Sequence, residues 1–246
     1  MTTFDYSPDA MTDIVPVTVR GATFSITCCT RQPGHPSHWG FQDESETREK
    51  WWDIRAGNIV LDIGAAYGSY SIAALALGAA LVVAWSPPSI PPAIPVEAIT
   101  MRRSAWQNGF EDRLIVHEHG LWSQRGWLAG FDGPRPARFF DTREEARAAV
   151  SGQTGIVSVF PVKPLDAMLD AFDRVDWMKI DAEGCELAIL QGAQQTLKRF
   201  HPKIITENHY HVDPECEDKC DAYLDTLGYK KIGTRVHHLI SHSHYV

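Results

Sequence analysis

The stretch Val60-Leu61-Asp62-Ile63-Gly64-Ala65-Ala66-Tyr67-Gly68-Ser69-Tyr70 constrains this chain more than any other. Its apolar start, extended backward by Asn58 and Ile59, reads as a buried strand, and Gly64 and Gly68 bracket a tight turn. Ile72, Ala73, Leu75, Ala76 and Leu77 then keep an apolar face until Gly78 supplies a helix stop. An acid at a strand end followed by a glycine turn is how a doubly wound sheet opens a nucleotide-sized crevice.

Further apolar strands are expected at 81–85, 114–119, 157–162, 176–181 and 203–207. Helical patterns cover 96–108, 165–171, 182–200 with a break at Gly192, and 216–227. This alternation predicts an α/β fold, doubly wound, with a mostly parallel sheet and ligands at the carboxyl ends of its strands. Residues 229–232 and 236–244 predict a closing antiparallel pair, and 15–29 a hairpin turning at Gly21. Residues 44–52 read as a helix that packs Trp51 and Trp52 onto the core. We therefore expect an N-terminal extension over 1–56 and a ligand-binding domain over 57–246. Within it, 123–155 reads as an irregular insertion, helical only at 142–150, of a length that suits a lid or an acceptor-binding segment.

The totals exclude several classes. A net charge of −8 argues against nucleic acid or an anionic membrane as the main partner. No window reaches the roughly 18 apolar residues of a membrane span. The amino terminus lacks the basic and apolar regions of a signal peptide, and five cysteines without paired spacing fit a reducing compartment, so a cytoplasmic location is expected. Oligomeric state leaves no trace in the sequence.

Counting glycines selects the cofactor. A dinucleotide fingerprint spaces three glycines as G-x-G-x-x-G so that the backbone approaches a pyrophosphate. Here Gly64 is followed by Ala65, Ala66 and Tyr67 before Gly68, so the middle glycine is missing. That weakens a nicotinamide-dependent oxidoreductase. Asp62, two residues before the first glycine, suits a ligand with positive charge and no phosphate. S-adenosylmethionine has a sulfonium and an ammonium.

Val60 to Gly68 resembles motif I of class I methyltransferases, in the GAN-x-G form. Val175-Asp176-Trp177-Met178-Lys179-Ile180-Asp181-Ala182-Glu183-Gly184-Cys185-Glu186 is similar to the K-I-D-x-E-G-x-E signature of the FkbM family. The resemblance extends to Leu165-Asp166, Leu190, Gly192, Ala193, Pro202 and Glu207, and is loose from Ser86 to Gly155. It implies a seven-stranded class I fold and S-adenosylmethionine-dependent O-methylation of a small sugar-like or natural-product hydroxyl. Asp62, Gly64, Ala65, Ala66, Tyr67 and Gly68 then form the cofactor turn, joined by Ser86, by Asp181, and by Gly120, Leu121 and Trp122, with Trp122 placed for the adenine. Two positions depart from the family. Ser86 stands where relatives usually carry an acid that grips the ribose, with Glu97 as a substitute carboxylate, and Ala66 replaces a common asparagine. A protein that keeps the fold and the cofactor but has lost catalysis is the alternative these departures motivate.

Methylating an alcohol needs an aligned nucleophile and a group that takes its proton. The candidates are Asp181, Glu207 and His209, with Glu183 beside them; His209 has the most suitable unperturbed pKa. Asp181, Glu207 and Asn208 also resemble in position the ligands of catechol-type methyltransferases, which implies Mg²⁺ or Ca²⁺. The eleven histidines lack a spacing that closes a zinc site. Lys179 is expected to pair with an acid, and Cys216 and Cys220 to be buried thiols on one helix face.

Overall fold

The computed structural model describes residues 12–28, 44–88, 95–131, 137–152, 157–237 and 240–246. The proline-rich stretch at 89–94 and the aromatic residues Trp39 and Phe41 lie outside them. The chain divides into two compact units, Met1–Glu118 and His119–Val246.

In the first unit, β1 (Asp13–Val19) and β2 (Ala22–Cys28) form an antiparallel hairpin, with Arg20 and Gly21 both at positive φ in its two-residue turn. After α1 (Ser45–Trp51), the strands β3 (Ile59–Ile63), β4 (Leu81–Trp85) and β5 (Leu114–His117) run parallel. α2 (Ser69–Ala76) and α3 (Val96–Gln107) supply the crossovers. Strands β3 and β4 are buried along nearly their whole length, as their continuous apolar runs require. The hairpin docks on α3 through Asn108, whose Oδ1 accepts from Ser25 N–H at 2.8 Å and whose Nδ2 donates to the carbonyls of Ser25 at 2.7 Å and Ser104 at 2.6 Å. Trp52 is fully buried and meets Tyr70 edge-on, as expected for a core tryptophan.

The second unit holds two sheets. In one, β6 (Gly120–Leu121), β9 (Val157–Lys163), β7 (Gly126–Phe131) and β8 (Arg138–Phe140) lie side by side in that order, next to α4 (Arg143–Val150). This corrects the expectation of an irregular 123–155 segment. Gly126 hid the strand: a Cβ there would come within 2.4 Å of the Phe139 ring, so glycine is what lets β7 lie against β8. In the other sheet, β10 (Trp177–Ile180) runs parallel to β11 (Lys203–His209). β13 (Ile240–Tyr245) is antiparallel to both β11 and β12 (Lys231–His237), the closing pair the sequence predicts.

Helix α5 (Glu186–Gly192) begins four residues later than expected, because Glu183 and Gly184 turn with φ of 50° and 90°. It stops at Gly192, where a Cβ would strike the Trp122 carbonyl, and α6 (Gln194–Phe200) resumes beyond the break. Asp166 caps α6, accepting from the N–H groups of Gln195 at 2.8 Å and Thr196 at 2.9 Å.

On α7 (Cys216–Thr226), Glu217 accepts from Ser241 Oγ at 2.9 Å, Ser243 Oγ at 2.8 Å, Lys231 Nζ at 2.9 Å and the Tyr210 hydroxyl. Burial alone would raise this carboxyl, but those donors outweigh it and hold it down to about 2. A depressed acid stabilises the fold above its unfolded pKa near 4.5 and loses that contribution as pH falls towards 2. Urea unfolding from pH 6 to pH 2 is therefore expected to show an acid-side loss of stability that Glu217→Gln flattens. In the first unit, Asn108→Ala is expected to lower stability by about 1–3 kcal/mol in the same assay, since it strands two backbone groups of the hairpin.

Candidate functional site

The glycine turn of the first unit is built as the sequence suggests. Asp62, buried near the end of β3, accepts from Ser71 Oγ at 2.6 Å, which ties the strand to the first turn of α2. The Trp85 carbonyl accepts from both Gly64 N–H at 3.0 Å and Ala65 N–H at 2.9 Å, so the turn is anchored to the end of β4. Gly64, Ala66 and Gly68 all have positive φ, at 77°, 45° and 87°. A Cβ on Gly68 would come 2.5 Å from Met101 Cγ, which adds close packing to the conformational demand. Ala65 and Tyr67 are buried, and the Ala66 side chain is exposed.

Ser86 follows β4 and is buried; its N–H donates to the His117 carbonyl at 2.9 Å and its hydroxyl to the Ala66 carbonyl at 3.4 Å. The residue at the expected ribose position thus also supports the turn. Glu97, the substitute carboxylate, lies half-buried in the first turn of α3.

In the second unit the strand ends assemble a cluster of acids around one imidazole. β11 continues through Asn208 and His209, which the sequence places in a polar run after the strand. Side chains alternate along a strand, so Glu207 and His209 share one face and Asn208 takes the other. Asn208 accordingly donates to Ser241 and Ser243 Oγ at 3.1 and 3.2 Å, and is not grouped with Asp181 and Glu207. This corrects its assignment as a metal ligand. His209, buried to 2% exposure, stands beside the two acids instead: Asp181, Glu207 and His209 each bring one polar atom to within 4.8 Å of the others.

Each member is held from outside. Lys179, buried on β10, donates from Nζ to Asp181 Oδ2 at 2.6 Å, the acid pairing expected of it. His242 stands opposite Glu207 in the β11–β13 register and donates from Nε2 to its Oε2 at 2.9 Å. Glu186 Oε1 accepts from His209 Nδ1 at 3.0 Å and from the N–H groups of Ala182 at 3.0 Å and Gly184 at 3.2 Å. The remaining imidazole nitrogen, Nε2, then faces Asp181 Oδ1, Glu207 Oε1 and Glu183 Oε2, each at 3.5 Å.

Burial alone would depress the His209 pKa, but the carboxylates of Glu186, Glu207 and Asp181 outweigh it and push it up to about 12. That rise favours the charged ring and works against the general-base role expected from its unperturbed pKa. Glu207 shows the reciprocal effect: burial would raise it, yet His209, His242 and Lys179 hold it well below the usual carboxylate range.

Sequence reasoning placed Glu186 in the family motif and overlooked its bond to His209; it also overlooked His242, which only strand register brings to Glu207. Gly120 and Leu121 lie in β6, where a Cβ on Gly120 would come 2.8 Å from the Phe160 ring. Trp122 follows and stacks on Phe139, with ring centroids 6.1 Å apart. All three have packing partners in the small sheet. Three cysteines of the second unit are poor nucleophiles: burial pushes Cys216 up to about 11, and raises Cys185 and Cys220 as well.

Parallel strands, crossover helices and a glycine turn at the end of β3 make an α/β protein with a methyltransferase-like fold. A family model described as Methyltransferase FkbM domain matches residues 62–231, and the chain belongs to this family. Among solved structures, it is similar to methyltransferase FkbM from Methylobacillus flagellatus KT, with TM-score 0.57 and 18% identity over 81% of this chain and 46% of that one. It is also similar to a Streptococcus mutans protein named as a candidate SAM-dependent methyltransferase, with TM-score 0.52 and 8% identity over 94% of this chain and 55% of that one. The chain thus spans about half the length of each. No curated protein matches it. Among the described residues no helix is long and apolar enough to cross a membrane.

Ala66 carries its positive φ without the asparagine that tolerates it better. Its side chain is exposed, so Ala66→Asn is expected to raise stability by about 0.5–1 kcal/mol, read as an upward shift in thermal melting.

Proposed function

We propose that this chain is an S-adenosylmethionine-dependent O-methyltransferase that acts on a hydroxyl of a small sugar-like or natural-product acceptor. The observation that carries the reading is the Asp62–Gly68 turn, with its buried acid and its two amides anchored to Trp85, inside a segment that matches the FkbM domain. The turn has no middle glycine for a pyrophosphate, and its carboxylate suits an amino-acid ammonium. In this reading Asp62, Gly64, Ala65, Ala66, Tyr67 and Gly68 hold the cofactor, with Ser86 on the ribose side. The family's seven-stranded class I architecture is part of the proposal.

The protein's task in methyl transfer is to align an acceptor oxygen with a carbon already activated by sulfur, and to keep water out. Asp181 and Glu207 are assigned to receive the acceptor hydroxyl, and the charged His209 to orient Glu207. Selectivity is assigned to the small β6–β9 sheet and α4, whose Trp122 and Trp127 offer planar surfaces for a ring. Cys185, Cys216 and Cys220 are buried free thiols, which supports action in a reducing compartment such as the cytoplasm.

Calorimetry with S-adenosylhomocysteine tests the reading. Saturable binding is expected, weakened at least tenfold by Asp62→Asn; no binding at millimolar ligand would overturn it. Binding without transfer of labelled methyl to any hydroxylated acceptor in a broad panel would favour the non-catalytic alternative.

A further inference from the structure

The cluster at the ends of β10 and β11 has a second property that does not depend on methyl transfer. Three residues each have one atom engaged by an outside partner and another directed at a common point. Asp181 gives Oδ2 to Lys179 and turns Oδ1 towards His209; Glu207 gives Oε2 to His242 and turns Oε1 the same way; His209 gives Nδ1 to Glu186 and meets both oxygens with Nε2. Nε2 belongs to a side chain only 2% exposed, yet its neighbouring oxygens stand at 3.5 Å, beyond ordinary hydrogen-bond length. These three donor atoms lie within 4.8 Å of one another, the spacing that one shared ion requires.

We propose that Asp181, Glu207 and His209 form a binding site for a divalent transition-metal ion of the manganese-to-zinc series. Metal-bound histidines typically donate the other ring nitrogen to a carboxylate, which fixes the ring and raises its basicity, and Glu186 supplies that partner here. Lys179 and His242 orient the two carboxylates in the same way. Donors on an ion at about 2.1 Å lie roughly 3.0–4.2 Å apart, so a set within 4.8 Å, with both oxygens at 3.5 Å from the nitrogen, closes by a small inward shift. One nitrogen with two oxygens favours Mn²⁺, Fe²⁺ or Zn²⁺ over the Mg²⁺ or Ca²⁺ suggested by an all-oxygen set. Glu183, 76% exposed and 3.5 Å from Nε2, marks the open side of the site, where an additional ligand or an acceptor hydroxyl would complete the shell. Binding exchanges the proton on His209 for the ion, so a proton is released.

The test uses the full chain, stripped with chelator and titrated with Mn²⁺, Zn²⁺ and Co²⁺ by calorimetry and equilibrium dialysis near neutral pH. We expect one ion per chain, visible absorption bands for the Co²⁺ form, and a higher melting temperature. Asp181→Asn, chosen because this side chain is partly exposed and the fold should tolerate it, is expected to weaken binding at least tenfold with an unchanged far-UV spectrum. Glu186→Gln should weaken it 10- to 100-fold by loosening His209. Absence of binding at millimolar ion, or equal binding by folded Asp181→Asn, would overturn the assignment.

Discussion

Four carboxylates converge on one buried imidazole, and much of the second unit's arrangement follows from the need to compensate them. Desolvation makes an isolated buried charge very costly, so the three less exposed acids are each matched by a cation or a donor: Lys179 for Asp181, His242 for Glu207, and two backbone amides with His209 for Glu186; the fourth, Glu183, is exposed. This requirement explains why β11 runs on through His209 and why the chain makes a left-handed turn at Glu183 and Gly184 before α5 starts. Strain in that turn is offset by the amides it presents to Glu186. A cluster satisfied in this way favours a cation at its centre, whether a proton on His209 or an ion in its place.

The opposite face of the same strands solves a similar problem by different means. There Glu217 collects hydroxyls from β13 and the ammonium of Lys231, with Asn208 bonded to the same serines. The contrast separates a carboxylate that pins a helix to a sheet from carboxylates that share one imidazole. In the first unit the glycine turn follows yet another logic. Its amides are fixed by the Trp85 carbonyl and its acid by Ser71, so its shape is set by the protein alone. Preorganisation of this kind lowers the entropy lost when a ligand binds.

How much was legible varied with the range of the interactions. The apolar runs at 59–63, 81–85 and 177–180, the breaks at Gly78 and Gly192, and the hairpin turn at Gly21 are local signals, and each lies where it was expected. The β7 strand was missed because its glycines, crowded by Phe139 at Gly126 and by Ser158 at Gly130, look like loop residues when read alone. The start of α5 was missed because a turn and a helix share the same acid-rich composition. Asn208 was grouped with Glu207 by adjacency, although alternation along an extended strand separates neighbours by a full sheet thickness.

The sequence by itself determined the class of fold, the place of the glycine turn and the family, because buried strands, glycine stops and short motifs are written in contiguous residues. Only the tertiary structure decided which polar groups meet. His242 reaches Glu207 through strand register across 35 residues, and Glu186 reaches His209 across 23. The protonation of His209 follows from that encounter, since a pKa reports the charges around a group and not the group alone. The opening motif, Val60 to Tyr70, could be read directly because it makes its own turn; the acid–imidazole cluster could not, because its members are neighbours only in the folded chain.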